Sequence, residues 1–109
     1  MSTDRELLEM AAKAAGLVGY QYCESWDGMA KYLNVIDGFD RDSIWRPHKD
    51  DGDALRLAVT LLMEVYTGKY EIEIHAGIIT IFQPTNGDII AATRRAIVRA
   101  AAEIGKAMP

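Results

Sequence analysis

The sequence predicts an α+β fold, a small antiparallel sheet with three helices layered on it (α/β/α), and three observations carry that reading. Amphipathic stretches with capping signals stand near both ends of the chain, and a third helical pattern lies at its middle. Between them run segments with the two-residue alternation of strands, and residues 69–83 read as a hairpin. The resulting order is helix, two strands, helix, hairpin, helix, which packs as one layered body. With 109 residues the chain is expected to form a single domain, residues 1–109, burying about two thirds of its unfolded surface.

The first helix opens on a capping box, Thr3 with Glu6 three residues on. Its apolar stripe is Leu7, Met10, Ala11 and Ala14, widened by Leu8 and Ala15. Arg5, Glu9 and Lys13 lie four apart on the solvent side, and Gly16 is the expected stop. In residues 17–26, Val18, Tyr20 and Tyr22 alternate with Gly19, Gln21 and Cys23, as in a strand, before a turn at Asp27-Gly28. Residues 30–36 read as a second strand closed by Asp37-Gly38, although MAKYLNVI also fits one and a half helical turns. Residues 40–43 read as a polar connection to Trp45, and the structure of residues 27–44 stays open at this point.

The segment SIWRPHKDDGDALRLAVTLLMEVY is the expected hub. Pro47 keeps the preceding Arg46 extended, and Asp50, Asp51 and Asp53 supply helix-capping oxygens and first-turn negative charge. From Ala54 the polar strip is thin, Arg56, Thr60 and Glu64, while Leu55, Leu57, Ala58, Val59, Leu61, Leu62 and Val65 cover the rest. A helix of that kind is expected to be covered on more than one side, and Gly68 to end it. In the hairpin, a two-residue link at Ala76-Gly77 would set Ile74 opposite Ile79 and Ile72 opposite Ile81. The other face would then pair His75 with Ile78, Glu73 with Thr80 and Glu71 with Phe82. Asn86-Gly87 centres a loop, and Asp88 caps the last helix. That helix is expected to bury Ile90, Ile97, Ala101 and Ile104, with Thr93 and Ala100 filling in. Arg95, Arg99 and Glu103 form its solvent strip, and Gly105 ends it.

The totals exclude several classes. A net charge of −4 argues against bulk nucleic-acid binding, which depends on cations meeting phosphates, but leaves room for a small anionic ligand at a local cation cluster. Cys23 is the only cysteine, so an intrachain disulfide is impossible and a reducing, cytoplasmic setting is expected. No apolar run approaches the roughly 20 residues of a membrane span, so no membrane partner is expected. His48 and His75 stand in no metal-ligand spacing with Cys23, GLVG at 16–19 is not a phosphate loop, and Ser25 and Ser43 lack a nucleophile elbow. Neither a metal nor a cofactor is expected, and the chain reads as a non-enzyme.

Three stretches carry a family resemblance. WRPHKDDGDALRLAV resembles the central segment of the small tailed-phage proteins of the "phage ABA sandwich" family. DRELLEMAAKAAG and AATRRAIVRAAAEIG are similar to that family's opening and closing helices. The resemblance implies an α/β/α sandwich made by a phage or prophage in the host cytoplasm, with no assigned chemistry, and it leaves the segment between Val18 and Asp42 as the variable part.

Binding has more support than catalysis. Trp45, Arg46, His48 and Lys49 bring an aromatic face and cations together before a helix start, where free N–H groups attract anions. Trp26, Tyr20 and Tyr22 offer stacking surfaces, and Arg94 and Arg95 lie early in the last helix. Each has a plainer role: Trp45 as packing, Arg46 and Lys49 as solvated cations, Arg94 paired with an acid. Two functional classes follow. By analogy with phage sponges, the chain sequesters a nucleotide-like host immune signal, such as a cyclic dinucleotide, as a non-enzymatic anti-defence protein. Alternatively it binds a host or phage protein through apolar surface at Ile78, Phe82 and the central helix. Self-association into a homo-oligomer is expected under either.

Overall fold

The computed structural model describes residues 3–17, 19–27, 30–36 and 42–109. The expected turn at Asp37-Gly38, with Val18 and Gly28, lies outside the described residues. The elements run α1 (Asp4–Ala14), β1 (Tyr20–Glu24), β2 (Lys31–Ile36), β3 (Asp42–Trp45), α2 (Asp51–Thr60), β4 (Glu64–Tyr66), β5 (Glu71–Ala76), β6 (Ile79–Pro84) and α3 (Ile89–Ala107). The fold is α+β with three helices. Its strands divide between two antiparallel three-stranded sheets, β1-β2-β3 and β4-β5-β6, rather than forming the single sheet that the hairpin and early strands suggested. Segment 30–36 is a strand and not a helix. Residues 42 and 43, the end of the stretch 40–43 read as connection, belong instead to β3, a third strand at its edge.

The hub is α3, not the central helix. Asp88 starts it, its carboxylate accepting the Ala91 N–H at 3.0 Å, after a turn in which Asn86 and Gly87 take φ of 50° and 87°. Ala92, Ala96, Ile97, Val98, Ala100, Ala101 and Ala102 are all buried, because α3 packs on β5 and β6 while α1 and α2 pack on α3. Small side chains let α1 come close. At Gly105 the approach is closest, since a Cβ there would stand 1.9 Å from the Met10 carbonyl oxygen. Gly105 therefore does not end the helix, which continues to Ala107. Ile90 departs from expectation too: it is 61% exposed, on the first turn, beyond the reach of either neighbour's core.

Helix α1 follows its sequence signals. Thr3 Oγ1 accepts the Glu6 N–H at 3.1 Å, and Arg5 pairs with Glu9 at 2.7 Å. At the other end Gly16 takes φ +77° while the Leu17 N–H reaches the Ala12 carbonyl at 3.0 Å, a Schellman closure. Leu8 and Ala12 face the first sheet, where they meet Leu33, Tyr20 and Tyr22. Leu7 and Ala11 face α3 and the main core. Trp45 packs against both clusters and joins the two halves.

Helix α2 is shorter than its apolar run. Asp50 caps it, accepting the Asp53 N–H at 2.8 Å, and Asp53 in turn accepts the Arg46 N–H at 3.0 Å. It stops at Thr60 through the same closure as α1, the Met63 N–H reaching the Ala58 carbonyl at 2.9 Å, but with Leu62 in the left-handed position at φ 54°. The chain then turns into β4, where Val65 pairs with Ile74 and Tyr66 with Glu73. Pairing against β5 outweighs helical continuation for this β-branched and aromatic end. Nor is α2 covered all round. Ala54, Leu57 and Ala58 are buried, whereas Leu55 and Val59 are 65% and 63% exposed and Leu62 is 85% exposed.

The hairpin closes one residue later than its Ala-Gly pair implied. Ala76 pairs with Ile79 around a Gly77-Ile78 loop, with φ +63° at Gly77, the loop type that takes glycine first. Ile74 thus faces Ile81, His75 faces Thr80 and Glu73 faces Phe82. The shift preserves strand parity, so Ile72, Ile74 and Ile81 still form the buried face.

Two stability outcomes follow. Gly105→Ala should cost about 2–3 kcal/mol in urea unfolding, because α1 and α3 must separate to admit a methyl group. Leu62→Gly should stabilise by roughly 0.5–1 kcal/mol, relieving a left-handed leucine at the loss of little packing; a lowered denaturation midpoint would contradict this account of the α2 stop.

Candidate functional site

The tryptophan lead-in to α2 forms a tight turn. The Lys49 and Asp50 N–H groups both donate to the Arg46 carbonyl, at 2.9 and 2.8 Å, and Pro47 and His48 are buried beneath. This turn separates the nine residues expected to form one site. Trp45 packs inward, as do Tyr20 and Tyr22, the last lying under the Arg5 guanidinium at 5.2 Å. Trp26 stands 98% exposed. Arg94 donates to Asp51 Oδ1 at 2.6 Å and to the His48 carbonyl at 3.2 Å. Arg95 donates to Asp4 Oδ1 at 2.7 Å and holds that carboxyl below its usual range, against the opposing effect of partial burial. Only Arg46 and Lys49 of the nine converge, on a pocket of about 400 Å³ that Lys31 and Tyr32 of β2 complete. Lys31 and Tyr32 belong to the segment whose strand character was open, and their part in the site shows only once β2 is paired.

His48 sits where α1, α3 and β2 meet. Neither ring nitrogen has a hydrogen-bond partner among the described residues. Burial pushes its pKa below 6.5; Asp4 opposes this, while the charges of Lys49 and Arg95 reinforce it. The Lys31 backbone is near enough to favour the protonated ring slightly, without good hydrogen-bond geometry. An imidazole kept neutral and dry is a structural liability rather than a base.

A second concavity, of about 340 Å³, lies between α2, β4 and the start of α3. Ala54, Ala58, Val65 and Ile97 form its base, and Leu55, Ile89 and Ile90 stand exposed around it. The Asp51–Arg94 pair closes one side, with Thr67 and Thr93 as the other polar groups. Sequence reasoning pointed to apolar surface on the central helix but not to this groove, because it expected α2 to be covered on more than one side and Ile90 to be core. The signal was there in Leu55, Val59 and Leu62, a second apolar stripe at helical spacing beside the buried one.

On the outer face of the second sheet, His75 Nε2 bonds to Glu73, and the Thr80 hydroxyl lies 3.3 Å from Nδ1. Tyr66 sets its ring edge-on to the imidazole at 5.6 Å and donates its hydroxyl to Glu64. Acid, imidazole and hydroxyl stand in line, but they belong to neither concavity and satisfy one another along β5 and across to β6, which suits a surface ladder. Cys23 is half-buried, its thiol 3.7 Å from the Gln21 carbonyl. Among the described residues no group of three or more His, Cys, Asp or Glu is placed to hold a metal ion, and no helix is long and apolar enough to cross a membrane. Compared with known proteins, the chain matches no family model, no curated protein and no solved structure.

The state of His48 has a pH consequence. With its folded pKa depressed, the unfolded chain takes up a proton first as pH falls through about 6.5, so stability is full above that value and declines below it. The lowered Asp4 acts in a separate window, below its ordinary value of 3.8. His48→Leu should therefore flatten the loss of stability between about pH 7.5 and pH 5 measured by urea unfolding; an undiminished slope would place the titration elsewhere.

Proposed function

We propose that this chain is a non-enzymatic binding protein that takes an apolar helix of a protein partner into the groove between α2, β4 and α3. The observation that carries the reading is the cluster of exposed aliphatic side chains, Leu55, Ile89 and Ile90, around one concavity. Contiguous apolar surface of that kind is rare on a chain that works alone and marks an interface. The alanine base accepts inserted side chains, as in helix-in-groove recognition, and the threonines and the Asp51–Arg94 pair supply a polar rim. Burying Leu55, Ile89 and Ile90 against a partner is worth about 1.5–3 kcal/mol each by area. Phage or prophage origin, which rests on the family resemblance, would make the partner a host or phage protein in the cytoplasm. Ile78 and Phe82, also exposed, lie on the hairpin and extend the same character to the second sheet.

The sequestering of a nucleotide-like immune signal is the second reading, favoured by the meeting of Lys31, Arg46 and Lys49 in one pocket. It draws on two of the nine residues that the sequence put forward, since the arginines of α3 are committed to Asp51 and Asp4.

The test is a paired substitution, Leu55→Asp with Ile90→Asp, at exposed positions that should leave unfolding midpoints nearly unchanged. A partner identified with the unaltered chain and then purified should bind the double variant at least about a hundredfold more weakly, the equivalent of two lost apolar contacts. Equal binding would remove the groove from the interface. Light scattering that showed a dimer abolished by the same pair would assign the groove to a second copy instead.

A further inference from the structure

We infer that the pocket of Lys31, Arg46 and Lys49 is a binding site for the phosphate group of a small soluble phosphomonoester whose organic part carries a planar ring. The inference rests on the second reading above and narrows it to one anchoring group; the site is separate from the apolar groove, whatever fills that groove.

The first support is a census of cations. Arg5, Arg56, Arg94, Arg95 and Lys106 each form an ion pair. Arg99 donates to the Phe82 carbonyl at 3.0 Å and to Gln83 at 2.8 Å, Lys13 donates to the Met108 carbonyl at 2.9 Å, and Lys69 lies over the Tyr70 ring. Among the described residues the three cations whose charged ends have no such partner are Lys31, Arg46 and Lys49, and all three line the same pocket. In a chain of net charge −4, with acids to spare, chance solvation would scatter unpaired cations over the surface. Their convergence leaves a positive field that Asp27 in the same lining and Glu24 opposite Lys31 offset only in part.

The second support is how the groups are held. Arg46 and Lys49 stand on a turn fixed at both ends, by the Lys49 and Asp50 N–H bonds to the Arg46 carbonyl and by the Arg46 N–H bond to Asp53. Lys31 opens β2, where it pairs with Glu24 of β1. The connection between these strands is itself tied, the Ser25 N–H donating to the Ala30 carbonyl at 2.8 Å and the Ala30 N–H to Ser25 Oγ at 2.9 Å. Three separate backbone restraints thus bring the cations together before any ligand arrives, which lowers the ordering cost of binding.

Charge and size set the ligand class. Three cations against the Asp27 carboxylate, which accepts a bond from the Ser25 hydroxyl, and Glu24 opposite Lys31 leave the lining net positive, suited to an anion. A phosphomonoester carries about −1.5 to −2 at neutral pH, and the guanidinium fork of Arg46 matches its oxygens in a way that ammonium groups alone do not. About 400 Å³ is more than phosphate needs and falls within the range of small-molecule pockets, so the anion carries an organic body. Tyr32 offers that body a ring, and Trp26, between Ser25 and Asp27 in the chain, presents an uncovered indole.

Calorimetry with adenosine monophosphate, inorganic phosphate and adenosine, supported by amide shift mapping, tests the inference on the full chain. Adenosine monophosphate should bind best, inorganic phosphate more weakly at the same amides, and adenosine not measurably. Lys31→Gln, Arg46→Gln and Lys49→Gln should each lower affinity about tenfold or more, as expected for one charge-assisted hydrogen bond, and Arg56→Gln should leave it within twofold. These side chains hold no part of the fold, so unfolding midpoints should not move. Adenosine binding as well as its monophosphate, affinity indifferent to the three glutamines, or no heat from either phosphate at millimolar concentration would each overturn the assignment.

Discussion

The close passage of α1 over α3 at Gly105 is the constraint on which the rest of the molecule depends. Helix α3 carries mainly alanine where it meets α1, and the missing Cβ at Gly105 lets the Met10 backbone rest almost on the helix. With α1 so close, a single helix can bury residues around most of its circumference, on α1 from one side and on β5 and β6 from another. The second sheet then packs on α3 in the main core, while the first packs on α1 around a smaller cluster. Neither sheet touches enough of the other to order it, so the helices act as the shared wall.

Local signals were legible because their chemistry is local. Thr3, Asp50 and Asp88 each cap where an oxygen precedes free N–H groups, and Gly16 takes the left-handed position that closes a helix. Parity on β5 and β6 was equally clear, since an isoleucine at every second position admits one buried face. The failures are all tertiary. Nothing near Leu62 announces a helix stop, and Val65 and Tyr66 become strand only because β5 lies alongside. Asp42 and Ser43 read as connection for the same reason, their partner being β2 rather than anything in their own segment.

The candidate sites follow the same division. Arg46 and Lys49 were visible as cations beside a helix start, but Lys31 joins them through the pairing of β1 with β2. Arg94 and Arg95 are indistinguishable from ligand-binding residues in sequence, and only the positions of Asp51 and Asp4 show that their charge is already spent. The apolar groove was the hardest to see. It depends on α2 ending early, because Val65 reaches the groove from β4 and would lie elsewhere on a continued helix.

The placement of the two tryptophans gives the molecule a built-in optical reporter. Trp45 is wedged where both cores meet, and Trp26 stands in water. Native fluorescence is therefore the sum of one shielded and one hydrated indole, and its blue component reports on the seam between the halves alone. A red shift that precedes loss of helical circular dichroism would reveal the first sheet peeling from α1 while the helical pair stays folded.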